Sequence, residues 1–313
     1  MRIFRLVTIT LTMATLLAAT PAARAAKSQP VFATPDQAVL ALIEVVAASD
    51  LPRLIALMGP ESDDLVSNSD PETGRRNREV FAVAIAEGWR LVDRLPKGKV
   101  LVVGNEDWPF PVPLVQGPGG WRFDSAAGRE EVIDRRIGRN ELGAIKVCQT
   151  YVVAQGIYAS RSHDGKPAGL YARRVGSAPG TQNGLYWPVV RGGPRSPLGE
   201  LAADASDETA ARAPSSNGRT PFHGYYYRIL ESQGPAAPGG AGEYVVNGEM
   251  SGGFAMVAFP AQYDVTGVMT FIINRDGVVY EKDLGAATSA TAATMTRFNP
   301  DPTWHKTAVE TQR

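Results

Sequence analysis

The stretch from Ala126 to Arg161 contains no proline, in a chain of 313 residues that has 23 of them. Within it Ile133, Ile137, Ala144, Cys148, Tyr151, Gln155 and Tyr158 fall close together on a helical wheel. That spacing predicts one long helix with Cys148 on its apolar stripe, broken near Gly138 or Gly143 because a glycine weakens a helix interior by about 1 kcal/mol. A cysteine on such a stripe reads as a core residue, since unpaired cysteine is among the most buried residue types. The helix divides the chain into two patterned parts, and each must be read for itself.

The first part, residues 32–126, opens with helices. Thr34-Pro35-Asp36-Gln37 carries the marks of a helix start, with Thr34 as N-cap, Pro35 at the first helical position and Gln37 closing a capping box. Ala38, Leu42, Val45 and Val46 continue at helical spacing. Asp50 starts a second, shorter helix through Leu54, Leu57 and Met58, which Gly59-Pro60 stops. The polar run Glu61 to Arg76 reads as a loop, and Val80, Phe81, Ala84, Ile85 and Trp89 as a third amphipathic helix. Short apolar runs at Lys99–Gly104, Pro111–Gln116 and Gly120–Asp124, separated by Gly and Pro, then suggest an antiparallel meander. Helices followed by strands argue for an α+β domain with helices on one face of a curved sheet.

The second part, residues 127–305, is the long helix followed by strands at Tyr225–Leu230, Tyr244–Asn247, Phe254–Phe259, Val268–Asn274 and Val278–Asp283. Asn274-Arg275-Asp276-Gly277 lies between two β-branched runs and predicts a hairpin turn, since Gly277 can adopt the left-handed backbone that closes one. Gly117-Pro118-Gly119-Gly120 and Pro238-Gly239-Gly240 also read as hairpin turns, because strands and not a helix follow them. Residues 190–221, rich in Gly, Pro, Ser and Ala, read as a long exposed loop and the most mobile part of the chain. In the consecutive Tyr225, Tyr226 and Tyr227, alternation along a strand forbids all three rings from facing one core. At least one must be exposed or cover another element, which makes this sheet a plausible contact surface.

Arg2 and Arg5, the apolar run Leu6 to Leu17, and the small residues around Ala23-Arg24-Ala25 form a secretory signal peptide, residues 1–25. The run is too short to span a bilayer, which takes about 20 apolar residues. Cleavage near Ala25 removes three Arg and no acid from 32 bases and 32 acids, leaving a net charge of −3. The mature chain is expected in the periplasm or outside the cell, soluble and without a transmembrane anchor. Its charge balance gives no basic field to draw it to nucleic acid. A single Cys excludes an internal disulfide framework and a cysteine-based zinc site.

Several motifs are recognisable. Trp108-Pro109-Phe110-Pro111, Ile137-Gly138-Arg139-Asn140-Glu141-Leu142, Gly184-Leu185-Tyr186-Trp187-Pro188, His223-Gly224-Tyr225-Tyr226 and Tyr244-Val245-Val246-Asn247-Gly248 occur in order, followed by the stretch from Gly252 to Gly285. Together they resemble a family of exported bacterial proteins catalogued as domain of unknown function 2950, over about Phe32 to Trp304. The resemblance implies an exported protein of this architecture. It also implies a loop after the long helix that is acidic in relatives and suggestive of calcium; here Arg161 to Pro167 carries one carboxylate, Asp164, too few for such a site. As analogies of fold, the first part looks like the nuclear-transport-factor-2-like superfamily and the second is similar to type IV pilin-like domains.

Chemistry-bearing residues are sparse. No G-x-S-x-G elbow occurs, and His163, His223 and His305 lack the i+4 histidine partner of a helical zinc site. No metal and no cofactor is expected. His223 lies where a loop enters a strand and its imidazole titrates near neutral pH. Glu106-Asp107-Trp108 sets carboxylates beside an aromatic ring, yet adjacent acids on an extended segment point to opposite faces and cannot act as a glycosidase pair. Candidate binding residues are therefore His223, Tyr226, Trp108, Trp187 and Asp107. The expected function is a non-catalytic binding or assembly module of the bacterial cell envelope, with an unknown envelope protein or small ligand as partner. The alternative is a metal-independent envelope hydrolase using an inter-domain cleft, with His223, Glu106 and Asp107 as acid and base groups.

Overall fold

A computed structural model describes residues 29–59, 62, 65, 71–94, 96–188, 193–199 and 221–308. The expected signal peptide, residues 1–25, and most of the expected loop at 190–221 lie outside the described residues. The fold is α+β with several antiparallel sheets, and the chain separates into two compact units, Met1–Ala126 and Ala127–Arg313.

The first unit begins with α1 (Pro35–Ala47) and α2 (Leu51–Met58). Thr34 caps α1 by accepting the Gln37 N–H, while the Gln37 side chain accepts from Ala33, one residue ahead of the cap. Asp50 caps α2 by accepting the Arg53 N–H at 3.0 Å. The third helix, α3, spans Pro71–Glu87 and so starts well inside the run read from sequence as loop. Its opening turns are polar, and Arg75 holds them by pairing with Glu72 at 2.6 Å and Glu79 at 2.7 Å. Ion pairs at these spacings support opening turns that have no apolar period to reveal them.

Trp89 does not belong to α3 but opens β1 (Trp89–Arg94). This edge strand shows only Trp89 and Leu91 partly buried, too brief an alternation to stand out. It pairs with β2 (Gly98–Val103), which also carries β3 (Trp108–Pro109), and β4 (Leu114–Gly117) and β5 (Gly120–Phe123) complete the sheet in the order β1-β2-β4-β5. Gly117 and Gly120 face each other across the expected turn. Leu42, Leu101, Leu114 and Phe123 are sealed in the core between helices and sheet. The Gln29 amide ties the ends together by donating to the carbonyls of Leu57, Met58 and Phe123.

The long helix, α4, runs unbroken over Ser125–Ala159. Neither Gly138 nor Gly143 interrupts it. At Gly143 the missing side chain has a tertiary reason: a Cβ there would sit 3.0 Å from the His223 ring. Ala144, Cys148, Tyr151 and Tyr158 are buried along its stripe, as their spacing predicts.

Beyond it β6 (Tyr225–Leu230), β11 (Ala255–Pro260), β12 (Met269–Asn274), β13 (Val279–Asp283) and β15 (His305–Lys306) form an antiparallel sheet in the order β15-β13-β12-β11-β6. Small additions are β7 (Ser232–Gln233), β8 (Gly242–Glu243) and β14 (Arg297–Phe298) in one sheet, the pair β9 (Val245–Val246) and β10 (Glu249–Met250), and a short helix α5 (Thr288–Thr294). Between β12 and β13, Gly277 takes φ 77° and donates to Asn274 O at 3.0 Å, closing the predicted turn.

The Ile137–Leu142 motif docks α4 onto the loop between β11 and β12. Asn140 donates to Thr266 O at 2.9 Å, and Glu141 accepts both the Val268 and Met269 N–H groups at 2.9 Å. The three tyrosines divide as strand alternation requires. Tyr225 is fully buried, its hydroxyl donating to Met269 O, whereas Tyr226 packs on Phe259 across the strand pair. No helix among the described residues is long and apolar enough to cross a membrane.

Candidate functional site

The residues singled out from sequence are scattered in their surroundings. In the first unit, Glu106 and Asp107 lie in a solvated turn and not on an extended segment, the turn closing through Asp107 N–H to Gly104 O at 3.2 Å. Asp107 pairs with Arg90 at 3.0 Å. Trp108 is 43% exposed, its ring set edge-on to Phe81 and Phe110.

In the second unit, His223 is exposed, has φ 48°, and meets the Phe222 ring at 4.3 Å. Partial burial, with Lys146 adding to it, holds its imidazole below the ordinary value. Tyr226 is half-buried on the sheet. Trp187 is buried, its indole N–H donating to Pro194 O at 3.1 Å. Its ring stands edge-on to His163 at 5.6 Å, and that contact leads to a groove none of the five residues lines.

The groove is built where α4 ends. After Ala159 the chain makes a two-residue hairpin, His163 and Lys166 exchanging backbone hydrogen bonds while Asp164 and Gly165 take positive φ at its tip. His163 turns inward, is buried, and stacks on Tyr158 with centroids 4.1 Å apart and planes at 18°. Its Nε2 lies 3.0 Å from Tyr158 O and its Nδ1 3.3 Å from Gln182 Oε1. Both partners are oxygens that only accept, so the ring donates through whichever nitrogen carries hydrogen. The Tyr158 hydroxyl donates to Gln182 O at 3.0 Å, and Asp164 accepts the Gln182 N–H at 2.8 Å. Burial first, then Asp164 and Glu249, pushes the Tyr158 hydroxyl above its ordinary value, so it remains a donor.

One further polar side chain fixes the opposite wall. Gln155 is fully buried on α4, and its amide both donates to Ala172 O and accepts the Ala172 N–H at 2.8 Å. It also donates to the Tyr151 hydroxyl at 3.0 Å, which in turn donates to Ala255 O. Tyr171 is thereby held beside the sheet, its N–H bonded to Met250 O and its ring 4.8 Å from Phe254.

The resulting groove has a volume of about 420 Å³. Its charged lining is four cations, Arg161, Lys166, Arg173 and Arg174, and three carboxylates, Asp164, Glu231 and Glu249. All three carboxylates are engaged: Glu249 by Lys166 at 2.8 Å, Glu231 by Arg173 at 2.6 Å, and Asp164 by the Gln182 N–H. The side chains of Arg161 and Arg174 are exposed and make no hydrogen bond or ion pair among the described residues.

Sequence reasoning had Tyr158 and Gln155 on the helix stripe and Asp164 in the following loop without joining them. The available signal was Gln155 itself: a polar residue at a buried helical position must bond something, and what it bonds here is a loop backbone. The family model described as protein of unknown function (DUF2950) matches residues 29–307. No curated protein and no solved structure matches the chain.

Proposed function

The chain belongs to that family, and on this premise we propose that it is a non-catalytic binding module of the bacterial cell envelope whose ligand site is the groove beyond α4. The observation that carries the reading is the way the groove is held. Buried Gln155 serves loop backbone at Ala172 and buried His163 ties the hairpin to the last turn of α4, and this fixes an irregular cavity before any ligand arrives. Ordered walls reduce the entropy lost on binding. The signal peptide at residues 1–25 supports a periplasmic or secreted location, and the pilin-like analogy of the second unit agrees with an assembly role. The hydrolase alternative would need His223 at a cavity with a carboxylate as partner; the groove, not His223, gathers the donors.

The test begins with cell fractionation of the full chain, which should place a form processed near Ala25 outside the cytoplasm. Ligand-observed NMR against neutral, cationic and anionic small molecules then compares the wild type with Pro167→Trp, which puts bulk at the groove's exposed lip. At least one compound should bind the wild type and lose its signal in the variant. A library in which no compound distinguishes the two folded proteins would overturn the reading.

A further inference from the structure

We propose that the groove takes an oxyanion, the carboxylate or phosphate group of a small organic molecule, between Arg161 and Arg174. This rests on the binding reading above and names the ligand chemistry of that same site.

The argument is an inventory of donors and acceptors. A cation lining a groove attracts an anionic ligand only if the protein has not already neutralised it. Lys166 and Arg173 are taken by Glu249 and Glu231, and Asp164 accepts a backbone N–H through one oxygen while keeping its charge. What remains is two guanidinium groups, unbonded among the described residues, against the single charge of Asp164, so the open charge of the groove is cationic by one. Asn183 adds donors to the same side, since its Oδ1 accepts the Ala178 N–H and this turns its amide nitrogen to bonding elsewhere.

Arginine suits this role better than lysine would. Its planar fork matches the two oxygens of a carboxylate or phosphate, is always charged, and is more weakly hydrated than an ammonium group. The ion pairs at the rim also have a use here. Exposed pairs contribute little to stability, but here they commit Glu249 to Lys166 and Glu231 to Arg173. Tyr158 and Tyr171 supply flat apolar surface beside the cations, which fits an organic body attached to the charged group. The volume of about 420 Å³ admits such a molecule.

The experiment is calorimetric titration of the mature chain at low salt with three probes: inorganic phosphate, succinate and uncharged succinamide. The variants are Arg161→Gln/Arg174→Gln and, as a control on an exposed helix of the first unit, Arg75→Gln. Thermal melts confirm that each is folded. Phosphate or succinate should bind the wild type and the control alike and weaken in the double variant by on the order of tenfold or more, because hydrogen bonds to charged groups are lost. Succinamide should not bind. Binding of phosphate alone assigns a phosphate group, and of succinate alone a carboxylate. Equal anion binding by wild type and double variant would overturn the proposal. So would a wild type that binds neither anion; if the screen still finds a neutral compound lost in Pro167→Trp, the binding reading survives, and if it finds none, both fall.

Discussion

The cores of the two units are made of different material. In the first, Leu42, Leu101, Leu114 and Phe123 pack with other apolar side chains, and among the described residues the buried polar ones are Ser62 and Ser125, each bonded to a carbonyl at the end of α2. In the second, the same kind of apolar layer between α4 and the sheet also contains Gln155, His163, Ser232, Thr270 and Asn274. The difference follows from the backbone. Buried backbone polar groups need partners. Regular helices and strands satisfy their own, so the first unit can afford an apolar interior. The second also packs an irregular segment between α4 and β6 against its interior, and Gln155 supplies partners to the Ala172 N–H and C=O there. A polar core is the physical condition for an ordered groove made of loops.

The comparison can be broken most directly in the apolar core. Phe123→Ala should destabilise the first unit by about 3–5 kcal/mol, because the cavity left by a fully buried ring adds to the lost transfer energy. Urea unfolding measures it, and a loss below about 1 kcal/mol would mean that this core tolerates voids as a polar one does not.

The corresponding change in the second unit is Gln155→Met, nearly equal in volume. It leaves the Ala172 N–H and C=O without partners in the interior, at about 1–3 kcal/mol for each group. Here the damage should be local. Cys148, sealed beneath the stripe with burial pushing its thiol up to about 12, is unreactive in the native state. Faster labelling of Cys148 in the variant, with loss of anion binding, would show that Gln155 holds the groove. Unchanged labelling and binding would show that it does not.

The smallest effect is expected at Glu281, on the face of the sheet toward α4. Its carboxyl is raised above 4.5 by partial burial and then by Glu141, with His305 across the strand pair opposing the rise. The folded state therefore holds the proton more tightly than the unfolded one. The contribution to stability is full below the ordinary glutamate value and is lost as pH rises through the folded one. Glu281→Gln should accordingly raise the melting temperature at neutral pH, with a gain that fades on acidification below about 4.5. A gain independent of pH would assign the effect to something other than this charge.

Much of the architecture is legible in the residues. The caps at Thr34 and Asp50, the stripe of α4, and strands β6, β11, β12 and β13 follow from patterns within single segments. The opening turns of α3 are not legible, because they are stabilised by surface ion pairs instead of a buried stripe. Nor is α5, whose Thr, Ser and Ala carry too little contrast to set a period, nor the two-residue strands, which exist only through their neighbours. The groove was less visible still. Its wall residues come from the end of α4, the hairpin at His163 and Lys166, Asn183, Glu231 and Gly248–Glu249, and no local pattern joins them.

The sequence by itself determined the α+β class, the uninterrupted run that became α4 and the burial of Cys148, because periodicity, capping and proline placement act over a few neighbouring residues. Tertiary structure alone decided that α4 stays whole at Gly143, where a His223 ring needs the room, and that Gln155 serves a distant loop. It alone decided too that Lys166 and Arg173 are neutralised while Arg161 and Arg174 are left available, since an ion pair depends on which carboxylate the fold brings near.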